Sequence, residues 1–328
     1  TGLRVSAAKA FLKPVLNRSN LTVLTHAQAR KLNYMDGRIS GVDIWYKGEE
    51  SKISANGEVI LATGSVGTPQ ILELSGIGSG RLLSGYNIDV LRDLPGVGEN
   101  LQDHLQIRCA YKVHGVKTLN EKTNSLFGKA SIGLEYALFR KGPMSMAPSQ
   151  LGAFVKSDSA METPNLQYHV QPLSLDKFGE PLHSFPAVTA SVCNLRPQSR
   201  GSIHIVSPDA RQQPSIKPNY LSTIVDQKVA AQSIRITRNI VSQPSFIKYQ
   251  PEEFKPGPVF GNSDEELCNA AGEVGTTIFH PVGTARMGSD DLAVVDNRLR
   301  VHGVAGLRIV DASIMPTITS GNTNSPVI

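Results

Sequence analysis

Two kinds of apolar run occur along the chain, and they predict two kinds of sheet. Residues 58–64 are mostly apolar and end in small side chains, which is typical of a strand that is buried on both faces. Residues 41–46 alternate apolar and polar side chains after a turn at Asp36 and Gly37, which predicts a strand with one exposed face. Residues 21–25 are predicted as a further strand.

Helix signals occur at four places. The predicted helices are residues 6–15, a segment that opens at Thr68 with Pro69 in its first turn, residues 224–241, and a segment that opens at Ser263. Ser263 and Glu266 have the spacing of a capping box. The order of strand, glycine turn and helix around Gly64 suits the edge of a cofactor site at the carboxyl end of a sheet.

The middle of the chain has a different character. The β-like runs there are residues 107–113, 166–170, 187–195 and 202–206, separated by loops that contain Pro or Gly. Their spacing predicts a mostly antiparallel sheet. The apolar runs after Gly275 resemble the first segment again. We therefore expect an α/β domain built from residues 1–105 and 273–328, with an α+β substrate domain inserted at 106–272.

Composition narrows the functional classes. Hydrophobic residues make up 40% of the 328 positions, which is enough for a packed core. The net charge is +5, but Lys and Arg are scattered, so no nucleic-acid partner is expected. The three cysteines show no C-x-x-C spacing and the histidines no ligand spacing, so no metal site is expected.

The chain shows no membrane-spanning run and no targeting signal. No apolar stretch reaches the roughly 18 residues of a membrane helix, and membrane association is not visible. The sequence begins at Thr1 without a methionine and stops at Ile328, where a helix is expected to begin. These features favour a piece of a longer protein.

The last fifth of the chain holds the most specific candidate chemistry. His280 stands before Pro281, an apolar run ends at Asp311, and a Gly/Asn-rich turn surrounds Asn322. Such a set suits proton transfer beside a cofactor. The chain contains no G-x-G-x-x-G run, so composition and spacing alone leave the function open.

Four segments resemble one enzyme family, in the family's order. They are residues 64–78 (GSVGTPQILELSGIG), 94–104 (LPGVGENLQDH), 280–284 (HPVGT) and 321–326 (GNTNSP). The first is similar, position by position, to the second signature of the glucose–methanol–choline (GMC) oxidoreductases, and the last two resemble the family's active-site segments. Within the family, the sequences of these segments most resemble those of bacterial choline-dehydrogenase-like alcohol dehydrogenases.

The resemblance implies an FAD-dependent enzyme that oxidises the CH–OH group of a primary alcohol to a carbonyl by hydride transfer to the flavin. It implies an incomplete FAD-binding Rossmann-like domain with an inserted substrate domain. His280 is similar to the family's active-site histidine and is expected to act as the base. Asn322 is similar to the second active-site position and is expected to hydrogen-bond the substrate oxygen.

The resemblance also implies which residues touch the cofactor. Thr323 and Asn324 are expected at a helix N-terminus that faces the flavin, where backbone N–H groups stabilise negative charge. Asp311 and Ala312 are expected beside the phosphate or ribityl part of FAD, and the Ala29 backbone beside the adenine. The family's phosphate-binding glycine loop is missing from the chain, so the chain alone is expected to bind FAD poorly and to be inactive.

Several alternatives stay open. The electron acceptor is a quinone, a dye-like compound or oxygen, so an alcohol oxidase is an alternative to a dehydrogenase, and a non-redox lyase or binding protein of the same fold is a third hypothesis. Met144 and Met146, in a predicted loop at 141–148, favour an aliphatic or aromatic alcohol over a sugar. The sequence shows no cluster of acidic and aromatic residues that would suggest a cage for the quaternary ammonium of choline. The expected location is bacterial, either cytoplasmic or peripheral to the inner membrane.

Overall fold

The computed structural model describes residues 3–147, 149–177 and 179–328, which form two compact units. The insert unit comprises residues 104–198 and 221–278, with the described residues before Phe11. The terminal unit comprises residues 11–103, 199–220 and 279–328. The boundaries 1–105, 106–272 and 273–328 stay a sequence prediction; by packing, residues 199–220 belong to the terminal unit.

Fifteen strands occur among the described residues. They are β1 (Ala27–Met35), β2 (Arg38–Tyr46), β3 (Glu49–Ser54), β4 (Val59–Leu61), β5 (Ile77–Gly78), β6 (Arg92–Asp93), β7 (Leu105–Lys112), β8 (Leu151–Val155), β9 (Leu166–Gln171), β10 (Ala187–Asn194), β11 (Ser202–His204), β12 (Ser215–Lys217), β13 (Glu252–Lys255), β14 (Gly275–Thr277) and β15 (Leu307–Ile309).

Eight α-helices occur in the same ranges. They are α1 (Gly64–Leu74), α2 (Gly80–Gly85), α3 (Leu119–Asn124), α4 (Leu126–Phe139), α5 (Ile224–Val241), α6 (Pro244–Ile247), α7 (Asp264–Val274) and α8 (Asn324–Val327). Short 3-10 turns occur at Lys13–Val15, Pro143–Ser145 and Ala312–Ile314. Across these described ranges, no helix combines the length and the apolar character needed to cross a lipid bilayer.

The insert unit is built on a six-stranded antiparallel sheet. Its strand order is β13-β7-β10-β9-β8, and β14 also pairs with β7. One face is apolar and packs against α5 and α7 through residues such as Ile107, Tyr168 and Ile234. The mostly antiparallel sheet predicted for this part of the chain is confirmed.

The terminal unit has its own core around a parallel strand pair. β15 lies parallel to β4, with Leu307 opposite Val59 and Ile309 opposite Leu61. The three-stranded antiparallel sheet β1-β2-β3 and helix α1 contribute Leu32, Ile39 and Leu72 to the same core. Strands from both ends of the chain therefore share one core, as the α/β prediction requires.

Two predicted helices agree with the structure in their bounds or caps. The helix predicted at 224–241 is α5. The side chains of Ser263 and Glu266 form the predicted capping box at the start of α7. The turn at Asp36 and Gly37 is confirmed, with φ values of 53° and 83°.

Of three further local predictions, two are wrong. Residues 21–25 are not a strand, because no described strand lies beside them to complete their hydrogen bonds. The segment predicted as helical at 6–15 is helical over 8–15, as a π-helix at Ala8–Leu12 and a 3-10 helix at Lys13–Val15, and Pro14 has no N–H for an α-helical hydrogen bond. Thr68 is not an N-cap: α1 begins four residues earlier, and Pro69 lies inside it.

Candidate functional site

The carboxyl ends of β4 and β15 lie side by side in the terminal unit. Beyond the paired strands, the Val310 N–H donates to the Leu61 carbonyl over 2.8 Å. Further along the two segments, the Gly64 N–H donates to the Asp311 carboxylate over 3.0 Å. Cofactor sites of α/β folds form at such strand ends.

Asp311 joins three pieces of chain at this edge. Its Oδ2 accepts hydrogen bonds from the Gly64 N–H and, over 2.6 Å, from the Thr68 hydroxyl. Its Oδ1 accepts from the Ser313 N–H over 2.8 Å. A carboxylate oxygen can accept two hydrogen bonds. Asp311 is thus a structural link whose Oδ1 has capacity for one further donor.

Pro69 leaves a helix carbonyl available to the His280 segment. In the regular hydrogen-bond pattern of α1, the N–H of residue 69 would donate to the Ser65 carbonyl, but Pro69 has no N–H. The Thr284 hydroxyl donates to that Ser65 carbonyl over 2.7 Å. The Ser65 hydroxyl donates in turn to the Pro281 carbonyl over 2.7 Å. Two hydroxyl bonds therefore fix residues 281–284 against the start of α1.

The backbone at His280 is held by a buried acid. The His280 N–H donates to Asp103 Oδ1 over 2.9 Å, and the Tyr220 hydroxyl donates to Asp103 Oδ2. Asp103 is 7% exposed. Phe279, directly before His280, has φ of 65°. A bulky residue in this region costs about 1–3 kcal/mol, so the surrounding contacts must hold it there.

The segments that contain His280 and Asp311 run side by side after these residues. Gly283, Ala285 and Met287 donate their N–H groups to the carbonyls of Ala312, Ser313 and Ile314, over 2.8–3.2 Å. The structure thus brings the His280 segment together with Asp311 and Ala312.

Gln102 links the His280 segment to the segment that leads to Asn322. Its backbone exchanges two hydrogen bonds with Val282, over 3.0 Å and 2.9 Å. Its side-chain amide donates to the Pro316 carbonyl and accepts from the Ile318 N–H, each over 3.1 Å. The two segments predicted as catalytic therefore share one buried side chain between them.

The predicted cofactor residues near the C-terminus begin a helical turn. Asn322 is exposed, and Thr323 is buried at the N-cap position of α8, which starts at Asn324. The first N–H groups of such a turn have no partner within the helix. The helix start expected at these residues is confirmed. Its role in flavin binding stays a prediction.

Ala29 lies apart from this arrangement. It pairs with Ile44 in the antiparallel β1–β2 ladder, beside a register shift at Lys31. Its side chain packs against the apolar core of the terminal unit. In the part of the chain that the structure describes, no hydrogen bond joins Ala29 to the His280 or Asp311 segment.

Sequence reasoning missed His204, which lies between two carboxylates. Its Nδ1 is 2.7 Å from Glu73 Oε1, and its Nε2 is 3.1 Å from Glu99 Oε1. Glu73 is fully buried and also accepts from the Ile205 N–H. The hydrogen bond that the His204 imidazole donates to the Glu73 carboxylate raises the pKa of His204. Glu73 lies in the matched signature segment, but nothing in the sequence pairs it with position 204.

The second face of the insert-unit sheet is polar and largely buried. Directly paired positions place His169, Ser191 and Arg108 in one row, and Gln167, Cys193, Gln106 and Thr276 in the next. Gln106 Oε1, His169 Nε2 and Gln171 Oε1 are buried and have no hydrogen-bond partner among the described residues. Buried polar atoms of this kind usually have a water or ligand partner. This face is the insert unit's candidate ligand surface.

The predicted loop at 141–148 borders a cavity in the insert unit. The cavity has a volume of about 560 Å³ and is lined by Met146 together with Lys117, Lys122, Glu135 and Lys141. Met144 does not line it and is 57% exposed. Pro148 lies outside the described residues. The cavity therefore offers charged as well as apolar contacts, where the sequence had pointed to apolar contact alone.

Comparisons with known proteins agree with this architecture. Models of the GMC oxidoreductase family match residues 1–106 and 197–328. An alcohol dehydrogenase [acceptor] of Pseudomonas putida is 40% identical over 330 residues, which cover 100% of this chain and 59% of that protein. An oxygen-dependent choline dehydrogenase of Pectobacterium carotovorum is 40% identical over 328 residues, covering 100% of this chain and 58% of the relative.

Solved structures of related enzymes have the same fold. A pyridoxine 4-oxidase from Mesorbium loti has a TM-score of 0.85 at 28% identity, covering 99% of this chain and 60% of that one. A formate oxidase from Aspergillus oryzae has a TM-score of 0.86 at 27% identity, covering 95% and 60%. The chain spans somewhat less than two thirds of each relative's length. With its four motif segments gathered as described, the chain belongs to the GMC oxidoreductase family.

Proposed function

We propose that the protein carrying this chain oxidises the CH–OH group of a primary alcohol to a carbonyl, with FAD as its cofactor. The observation that carries the proposal is the link through Gln102, which joins the segment of His280 to the segment that leads to Asn322. A base and a substrate-oxygen partner need such a fixed separation, because proton abstraction depends on hydrogen-bond distance.

The residues at the β4–β15 edge fit the flavin end of FAD. Asp311 Oδ1 has capacity for one donor hydroxyl, and the N–H groups at the start of α8 suit an anionic ring. Asp311, Ala312, Thr323 and Asn324 would therefore hold the cofactor. When bound, FAD supplies the acceptor for the hydride that leaves the alcohol carbon.

His280 acts on the substrate proton in this account. Its imidazole accepts the hydroxyl proton, while Asp103 holds its backbone N–H. The Asn322 carboxamide donates a hydrogen bond to the substrate oxygen and cannot take a proton at neutral pH. His280 is thus the base, and Asn322 orients the oxygen that loses its proton.

The polar sheet face of the insert unit bears on the charge of the substrate. The two buried rows of this face contain an arginine, Arg108, but no carboxylate. Glu252, which pairs with Lys112 further along the same face, is exposed and forms an ion pair with Lys112. A buried quaternary ammonium would lack a counter-charge on such a surface. We propose that the substrate is an uncharged or anionic alcohol, although several relatives are named as choline dehydrogenases.

An alcohol panel tests the reaction and the substrate class together. The flavin-loaded protein that carries this chain, not the isolated 328 residues, is assayed with choline and with its carbon analogue, in which a tert-butyl group replaces the trimethylammonium. We expect flavin reduction by the uncharged alcohol, and a kcat/KM at least about tenfold above that for choline, a difference of 1.4 kcal/mol. Higher kcat/KM for choline would refute the substrate class. Failure of every alcohol to reduce the flavin would refute the oxidation and favour a non-redox member of the family.

The electron acceptor is a separate question. We propose a quinone or dye-like acceptor rather than oxygen, in keeping with the name of the Pseudomonas putida relative. Turnover of one alcohol is compared under air and anaerobically with a quinone analogue. Faster turnover with the quinone is the expected result. Equal or faster turnover with oxygen would make the protein an alcohol oxidase.

A further inference from the structure

We infer that Gln102 is a positioning residue for the proposed oxidation, which sets the separation between the His280 segment and the Asn322 segment. The inference rests on the proposed function. In this role Gln102 contacts neither the substrate nor the cofactor. It acts through the two segments that it joins.

The backbone of Gln102 fixes the His280 side. Its N–H donates to the Val282 carbonyl over 3.0 Å, and its carbonyl accepts from the Val282 N–H over 2.9 Å. This reciprocal pair has the pattern of an antiparallel bridge. The neighbouring Asp103 accepts from the His280 N–H. Two consecutive residues thus hold both ends of the short stretch 280–282.

The side chain of Gln102 fixes the Asn322 side. Its Nε2 donates to the Pro316 carbonyl over 3.1 Å, and its Oε1 accepts from the Ile318 N–H over 3.1 Å. Ile318 lies four residues before Asn322 and is buried. Its Nε2 also donates to the Asn100 carbonyl over 3.3 Å. Both polar ends of the amide therefore bind the backbone of the segment that leads to Asn322, and the donor end also binds the segment of Gln102 itself.

A glutamine meets these requirements better than other side chains. The site needs one donor and one acceptor at the end of a side chain that reaches the backbone of 316–318. A carboxylate has no donor, an aliphatic chain has neither group, and asparagine is one methylene shorter. Gln102 is 2% exposed, so water cannot replace a lost partner without structural change.

Gly283 and Asn100 lie close to the Gln102 amide. Gly283 has φ of 91°, and a Cβ there would lie 3.1 Å from Gln102 Nε2 and 2.7 Å from the Asn100 carbonyl oxygen. Asn100 Nδ2 donates to the Gly283 carbonyl over 3.1 Å. The glycine of the HPVGT segment thus lets the chain approach Gln102 closely.

The test uses the flavin-loaded protein with three variants. Gln102→Met removes both polar groups at similar length. Gln102→Glu keeps the acceptor and regains a donor only when it is protonated. The matched control is Gln70→Met, because Gln70 also donates its side-chain amide to a backbone carbonyl, that of Gln212, outside the His280 and Asn322 segments. Activities are expressed per bound flavin at a temperature where all variants are folded.

We expect Gln102→Met to lower kcat per bound flavin by about 10- to 100-fold, the usual effect of a misplacement near 1 Å, with a much smaller change in KM. The ratio of kcat for Gln102→Glu to that of the wild type should rise as pH falls, because the protonated acid restores the donor. Backbone amide hydrogen exchange should accelerate at 317–322 in Gln102→Met and stay unchanged in Gln70→Met.

Two outcomes overturn the inference. One is a wild-type kcat per bound flavin in Gln102→Met. The other is a lowered kcat without faster exchange at 317–322, or with a flat pH ratio for Gln102→Glu, since that would show an effect not transmitted through these hydrogen bonds. Loss of activity in His280→Ala beside full activity in Gln102→Met would remove Gln102 only. Full activity in His280→Ala would instead refute the proposed function.

Discussion

His204 shows at the scale of one residue how the terminal unit depends on pH. Its imidazole lies between Glu73, which is fully buried, and Glu99. The pKa of His204 is raised above its ordinary value of 6.5, chiefly by the hydrogen bond with Glu73. The folded state therefore binds this proton more tightly than the unfolded chain does. The stabilisation is complete below about pH 6.5 and is lost as pH rises through the raised pKa.

Replacement of His204 by Gln tests this dependence. We expect the variant to lose about 2 kcal/mol of unfolding free energy at pH 6, as for a hydrogen bond between charged groups. The difference from the wild type should shrink as pH is raised to about 9. Urea unfolding at a series of pH values measures it. A difference that grows with pH would contradict the assignment of a protonated His204.

Residues of the site differ in how far the sequence could predict them. His280 and Asn322 could be predicted from the resemblance, because each lies in a short motif of consecutive residues. Asp103 and Gln102 lie in a third matched segment, but their bonds reach across 177 to 216 positions along the chain. No periodicity records such a pairing. The resemblance therefore covers the segment in which they lie, but their roles were not predicted.

At the scale of elements, helix α1 shows a local signal overruled by distant contacts. Thr68 before Pro69 is a good local helix start. Asp311 instead takes the Thr68 hydroxyl, and Thr284 supplies the hydrogen bond that Pro69 cannot give to Ser65. Helix α5 and the Ser263 cap were predictable because their signals are local. The false strand at 21–25 was not, because a strand depends on its neighbours.

A double-mutant cycle tests the replacement of the missing helix bond. Thr284→Val leaves the buried Ser65 carbonyl without this hydroxyl partner, which should cost about 1–3 kcal/mol of unfolding free energy. Pro69→Ala restores an N–H that can donate to the same carbonyl. In the Pro69→Ala background, Thr284→Val should therefore cost clearly less.

The four proteins of this cycle are compared by urea unfolding. Thr22→Val at an exposed position is the matched control and should leave stability within about 0.5 kcal/mol of the wild type. Equal costs of Thr284→Val in both backgrounds would show that Thr284 does not replace the proline's missing donor.

At the scale of the whole molecule, the chain supplies the candidate catalytic residues but no glycine-rich phosphate loop. It contains no G-x-G-x-x-G run, the usual cradle of a dinucleotide pyrophosphate. We therefore expect the isolated 328-residue chain to retain far less than one FAD per chain. Visible flavin absorbance per chain after gel filtration measures this. One tightly held flavin per chain would contradict it.

If His280 abstracts the substrate proton, its loss must slow flavin reduction by the alcohol under anaerobic conditions. The flavin-loaded wild type and His280→Ala are mixed with the best alcohol of the panel, and the loss of flavin absorbance is followed. We predict a rate lower by about 10²- to 10⁴-fold in the variant, with flavin content unchanged. A variant that bleaches its flavin at the wild-type rate would contradict the account.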